Sequence, residues 1–229
     1  MLEPYRVLDL SDERGLFCAR ILSELGADVI HLSSVQYPGR YSESSFWPDN
    51  EPGDRPWDRE GYTTDRYMGK REVTLNLNDE RGRDIFWKLL ATADVFVDNH
   101  SPRALRNMRL TFDEVSARVP GIVMISLSAF GQEGPWADYS ATGDVLEAAG
   151  GMCDATGYED GDPERCGMVY LDTVAGTFAA LGAVAGLERR AREGAGCYVD
   201  YSMLEGAVAT LPEPVLAEAA GAAYPRRIG

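Results

Sequence analysis

Residues Tyr5–Leu32, YRVLDLSDERGLFCARILSELGADVIHL, hold the pattern from which the rest of the chain is read. Tyr5–Leu10 is a short apolar run of the kind that forms a buried strand. Arg14–Leu25 then places Leu16, Phe17, Ile21, Leu22 and Leu25 at helical spacing, and Gly26 stops that helix. Asp28–Leu32 returns to a strand, so the stretch predicts a βαβ unit with a right-handed crossover. The alternation continues. Glu72–Leu77 alternates apolar and polar residues. Asn78 is the expected cap of a helix over Asp79–Ala93, with Ile85, Phe86, Leu89 and Leu90 on one face. Asp94–Val97 and Ile122–Leu127 read as further buried strands, with a capping box at Thr111–Glu114 between them. Thr142–Ala149 and Asp172–Glu193 read as helices, and Cys197–Tyr201 as a last strand. Strands alternating with helices predict an α/β fold with a doubly wound, mostly parallel sheet.

Two stretches break the alternation. Ser33–Tyr67 is rich in Pro, Gly, Asp and Ser and shows no sustained period, so a long loop is expected there. Phe46, Trp47 and Trp57 are expected to pack it down. The helix from Asp172 carries Gly176, Ala180, Gly182 and Gly186, which keep its surface small enough for another backbone to approach. The final residues, AAGAAYPRRIG, suggest a chain cut before a closing element.

Composition narrows the function. The 229 residues carry a net charge of −15, with a pI of about 4.5, so a nucleic-acid partner is not expected. Any anionic ligand would have to be held by local cations. Four scattered cysteines (Cys18, Cys153, Cys166, Cys197) and two histidines offer neither a disulfide framework nor a metal set, so no metal is expected. The amino terminus has no basic-then-apolar signal, and the uncharged run Thr173–Leu187 is short and rich in Gly and Ala. A cytoplasmic protein away from the membrane is the expectation.

Neither a GxxxxGK[ST] loop nor a GxGxxG turn after the first strand is found, and there is no GxSxG elbow. What remains is polar residues at the carboxyl ends of predicted strands, where open α/β sheets bind ligands. Asp98-Asn99-His100-Ser101-Pro102 follows one strand and Ser128-Ala-Phe-Gly-Gln132 another. Lys70 and Arg71 offer adjacent cations, and Arg103 and Arg106 two more. Asp172, opening the long small-residue helix, reads first as an N-cap. The same place suits a nucleophilic carboxylate, because helix-start amides stabilise negative charge.

Several strings together carry a resemblance: the opening βαβ, GKREVTLNLNDERGR (69–83), ADVFVDNHSPRAL (93–105), ISLSAFGQEGP (125–135), GDVLEAAGGM (143–152), ATGYEDGDPERCG (155–167) and the run from Leu171 to Glu205. In this order they resemble the class III CoA-transferases, a family that includes formyl-CoA and carnitine CoA-transferases and the 2-methylacyl-CoA racemases. The resemblance implies a Rossmann-like large domain, incomplete here, over residues 1–200. Residues 201–229 are then a helix and the start of a linker toward a small domain. It implies a homodimer, interlocked, or pairing with a complementary subunit. It also implies acyl-CoA and a carboxylic acid acceptor as substrates, and covalent catalysis by Asp172 within Gly167-Met-Val-Tyr-Leu-Asp172-Thr-Val-Ala-Gly176. Coenzyme A contacts carry over to Asn99, His100, Leu75 and Arg106. Lys70, Arg71, Arg14 and Gly15 are further candidates. His100 stands where the family commonly has phenylalanine, and Ser34 and Asn107 stand where basic residues are common. The racemase branch uses a histidine at the position of Gly143.

Overall fold

The computed structural model describes residues 1–12, 15–34, 46–167, 170–224 and 227. Six strands among them form one sheet: β1 (Arg6–Asp9), β2 (Asp28–Ser33), β3 (Arg71–Thr74), β4 (Val95–Asp98), β5 (Val123–Ser128) and β6 (Cys197–Ser202). Their order is β3-β2-β1-β4-β5-β6, and every neighbouring pair is parallel. This is the strand order of dinucleotide-binding α/β folds, in which the winding reverses between β1 and β4 and opens a crevice at their carboxyl ends.

Period-two alternation divides the strand residues between two cores. Val7, Val29, Val95, Val97, Val123 and Ile125 face one side, with Cys18, Ala19 and Leu22 of α1 (Leu16–Glu24) and the alanines of α8 (Tyr170–Glu193). Leu8, Ile30, Phe96 and Met124 face the other. There they meet Phe86 and Leu90 of α3 (Glu80–Leu90), Leu105 of α4 (Pro102–Met108) and Val115 of α5 (Phe112–Arg118). Each fully buried leucine or phenylalanine stabilises the fold by about 2 kcal/mol, and both faces are covered in this way.

The glycines of α8 do what their spacing foretold. A Cβ at Gly176 would stand 2.9 Å from the backbone nitrogen of Cys18, and one at Gly186 would stand 2.6 Å from Val123 Cγ1. Helix α8 therefore lies directly on α1 and on β5. By length and composition it could cross a membrane, yet half of its apolar window is buried here, as in a core helix. Arg190 fastens its far end, reaching Asp94 Oδ1 at 2.7 Å and the carbonyl of Gly121 at 3.0 Å.

Some local expectations shift. Asp79, not Asn78, caps α3, its Oδ1 accepting from the amides of Arg81 and Gly82. Both residues are cap formers, and the turn at Asn76–Asp79 decides between them. The expected loop at 33–67 contains a helix, α2 (Gly61–Tyr67). Trp47 tucks in, donating Nε1–H to the carbonyl of Pro56 at 3.1 Å, whereas Phe46 is 61% exposed. The side chain of Trp57 lies outside the description. Helix α6 (Gly143–Ala149) packs against α7 (Met152–Ala155) and α8. Beyond β6, Met203 and Ala207 of α9 (Met203–Ala209) join the core, while α10 (Pro212–Ala219) buries no residue.

Candidate active site

The crevice at the switch between β1 and β4 is built from the turns that follow these strands. Asn99, directly after β4, accepts from the amide of Asp12 at 2.9 Å and donates from its own amide to the Asp12 carboxylate. Gly15 packs into the same corner. A Cβ there would stand 2.6 Å from that of Ser11 and 3.0 Å from that of Asn99, so only glycine fits. Asn99 and Gly15 are therefore brought together, 87 residues of separation closing between the Asp12 and Asn99 turns. Arg14 lies outside the described residues.

A cavity of about 190 Å³ opens beside this corner. Asp12, Asn99, His100, Ser128, Ala141 and Met203 are among the residues lining it. His100 is held by its backbone: its amide donates to Asp98 at 3.0 Å and its carbonyl accepts from Gln132 at 3.1 Å. Beneath it, Asp98 is fully buried and accepts from Ser126 Oγ at 2.7 Å. Burial pushes the Asp98 carboxyl up to about 7, with the charge of Asp200 adding to the rise and the hydrogen bonds from Ser126 and His100 opposing it.

Asp172 lies against the start of α6, whose first residue, Gly143, comes two residues after Ala141 of the cavity lining. It is the third residue of α8, inside the first turn rather than the cap, and only 4% exposed. Its carboxylate faces Gly143, the first residue of α6. A Cβ at 143 would stand 3.1 Å from Asp172 Oδ1, and the three nearest atoms would all belong to this carboxylate. The first-turn amides of α8 favour its negative charge.

The cations nominated by sequence have other engagements. Lys70 turns inward, its ammonium 2.9 Å from Asp9 Oδ2, and both side chains are almost wholly buried. Arg71, one residue on, points to the opposite ends of the strands, where it and Arg6 share Asp28, the first residue of β2. Neither cation is on offer at the cavity. Strand register is the cause, since Arg71 pairs with Ile30 near the start of β2. Arg106 reaches Asp138 at 3.1 Å on the surface, and Leu75 donates its amide to the carbonyl of Ser33 at 2.9 Å while packing on the α3 side of the core.

Sequence reasoning missed the network around Asp9. Besides Lys70, the Asp9 carboxylate meets His31 Nδ1 at 3.2 Å and the hydroxyl and amide of Ser11. Tyr67 stands edge-on to the His31 ring. Burial alone would raise the Asp9 carboxyl, but Lys70, with His31 and Ser11, holds it well below the usual range. The signal available was a carboxylate directly after the apolar pair Val7-Leu8 of β1.

Comparison with known proteins agrees with the geometry. Succinyl-CoA–D-citramalate CoA-transferase of Chloroflexus aurantiacus is 34% identical over 224 residues, covering 92% of this chain and 51% of that protein. Acetyl-CoA:oxalate CoA-transferase of Acetobacter aceti is 33% identical over 225 residues, covering 97% of this chain and 56% of that protein. The chain thus spans about half the length of the curated relatives it matches. A CAIB/BAIF family protein from Brucella suis superimposes with a TM-score of 0.86 at 25% identity, over 100% of this chain and 60% of that one. The sequence pattern of the CoA-transferase family III matches residues 2–229. With the six-stranded parallel sheet, the switch-point crevice and a buried carboxylate at the mouth of α8, the chain belongs to CoA-transferase family III.

Proposed function

We propose that the chain contributes the nucleophile and much of the coenzyme A site to a transfer of CoA between an acyl thioester and a carboxylic acid. The observation that carries this reading is the burial of the Asp172 carboxylate in the first turn of α8, packed on the Cα of Gly143. A carboxylate kept from water is a stronger nucleophile than a hydrated one, and the acyl derivative it forms is protected from hydrolysis. In the proposed cycle an Asp172 oxygen attacks the donor thioester, the C–S bond breaks, and CoA leaves as thiolate. The thiolate then attacks the Asp172 carbonyl of the anhydride, releasing the donor acid and leaving an aspartyl-CoA thioester. The acceptor carboxylate attacks that thioester, and the returning thiolate takes the acceptor acyl group and frees Asp172. No net proton moves.

The same geometry disfavours a racemase. Inversion at an α-carbon needs two placed acid/base groups, and the residue packed against Asp172 is glycine. Relatives named for succinyl, acetyl and oxalate groups support small acids as substrates.

Trapping tests the proposal. After incubation with a panel of acyl-CoAs, hydroxylamine should convert Asp172 to a hydroxamate, seen by mass spectrometry of its peptide and absent from D172N. An unmodified Asp172 peptide across the panel would refute it.

A further inference from the structure

We propose that Cys153 and Cys166 form a reversible disulfide by exchange with low-molecular-weight disulfides, a modification site on the segment that leads into Asp172. The site is separate from the chemistry proposed for Asp172 and does not depend on it.

Exposure is the first argument. Of the four free cysteines, Cys18 and Cys197 are buried in the core, whereas Cys153 and Cys166 are only half-buried. A small reagent meets the second pair before the first.

Proximity is the second. Cys153 lies in α7, and the chain beyond that helix turns at Gly157, whose φ of 122° is one that residues with a side chain rarely adopt. The returning segment crosses α7 at Glu164, whose amide donates to the carbonyls of Cys153 and Thr156, both at 3.2 Å. Two residues on, Cys166 Sγ lies 3.4 Å from the hydroxyl of Thr156. That hydroxyl gives its own hydrogen to the carbonyl of Met152 at 2.8 Å, so the Cys166 thiol is the donor to it. Thr156 and Cys153 are three residues apart, neighbours on one helical turn. The charges agree with this placement. Burial first, and then the charges of Glu147 and Cys166, push the Cys153 thiol up, with Arg165 opposing and Asp144 adding to the rise. A disulfide needs its Cα atoms within about 7 Å of each other, and these contacts gather both backbones at the same turn of α7.

Connection is the third. The Cys166 amide donates to Glu147 Oε2 at 3.2 Å. Glu147 is buried in α6, the helix whose first residue packs on the Asp172 carboxylate. A bond from Cys153 to Cys166 therefore ties α6, α7 and the approach to α8 into one unit.

In the exchange, a thiolate of the pair attacks one sulfur of the reagent disulfide, whose S–S bond breaks, and one reagent thiolate leaves. The second cysteine, as thiolate, attacks the protein sulfur of this mixed disulfide, forms the Cys153–Cys166 bond and releases the other reagent thiolate. Two protein thiols are oxidised, one reagent disulfide is reduced, and the two cysteine protons end on the released thiols.

Oxidised glutathione at about pH 8, where thiolate is available, tests the assignment. Trypsin cleaves after Arg165 and so separates the two cysteines. Mass spectrometry without reduction should find their peptides linked, with Cys18 and Cys197 unmodified, and a reductant should part them. C153S and C166S should each leave the remaining cysteine of the pair as a glutathione adduct. Closing a loop of this length should raise the melting temperature of the linked chain by roughly 6–12 °C over the reduced one. Separate glutathione adducts on Cys153 and Cys166 of the wild type, no reaction at either, or a linked chain that melts no higher would overturn the proposal.

Discussion

Replacing Lys70 by methionine isolates a buried ion pair of the fold. The Lys70 and Asp9 side chains are 1% and 0% exposed and 2.9 Å apart. Methionine keeps the bulk of the lysine stem, so the loss is almost purely that of the charge. Removing one partner of a buried pair leaves the other charge uncompensated, at about 3–5 kcal/mol. His31 at 3.2 Å and Ser11 soften this, so a loss of about 3 kcal/mol at neutral pH is expected. For a chain of this size that lowers Tm by roughly 6–12 °C. The pH sign follows from the Asp9 carboxyl, which the folded protein holds below its unfolded value. In the wild type its contribution is present above the unfolded pKa and lost as pH falls through the lower, folded one. In K70M burial is no longer offset by the ammonium, so the folded carboxyl titrates higher and protonation relieves the penalty. The gap between K70M and wild type should therefore narrow from pH 7 to pH 5 in urea titrations followed by circular dichroism. The double variant D9N/K70M should recover part of the loss. A K70M penalty under about 1 kcal/mol, or one independent of pH, would refute the reasoning.

Three further outcomes follow from the geometry. G143A adds a methyl 3.1 Å from Asp172 Oδ1, which displaces the carboxylate by a few tenths of an ångström. Acylation of Asp172 should slow about three- to tenfold, while melting temperature holds or rises because alanine is the better helix former. D98N removes a carboxyl whose folded pKa is raised to about 7. Such a group favours the folded state at low pH and loses that contribution as pH rises toward 7, so D98N should gain stability relative to wild type between pH 5 and 8 in thermal melts. G186A would place a methyl 2.6 Å from Val123 Cγ1 and 3.0 Å from Cys197 Sγ. Overpacking of this kind costs about 1–3 kcal/mol, measurable by denaturant midpoint.

The main helices were legible because each buries one periodic face, and the central strands because they are short apolar runs buried on both faces of the sheet. Val7, Val29 and Val95 announce strands locally, yet nothing in their spacing says that β1 lies between β2 and β4. Neighbours in a parallel sheet are settled by packing between distant segments. The same limit explains the cations. Lys70 and Arg71 are adjacent in sequence, but the register of β3 on β2 sends one to Asp9 and the other to Asp28. Asn99 and Gly15 were found through the resemblance, and their mutual contact depends on the switch point.

The paired hydrogen bonds between Asp12 and Asn99 have a kinetic consequence. They join two turns separated by 87 residues, so the loop-closure entropy of most of the first half of the chain must be met before this corner exists. Hairpin-scale events cannot assemble it, and a nascent or partly refolded chain with β1 and α1 in place still lacks it until β4 docks. Ligand capture at this corner should therefore appear only in the slow, topology-limited phase of refolding, alongside native sheet order.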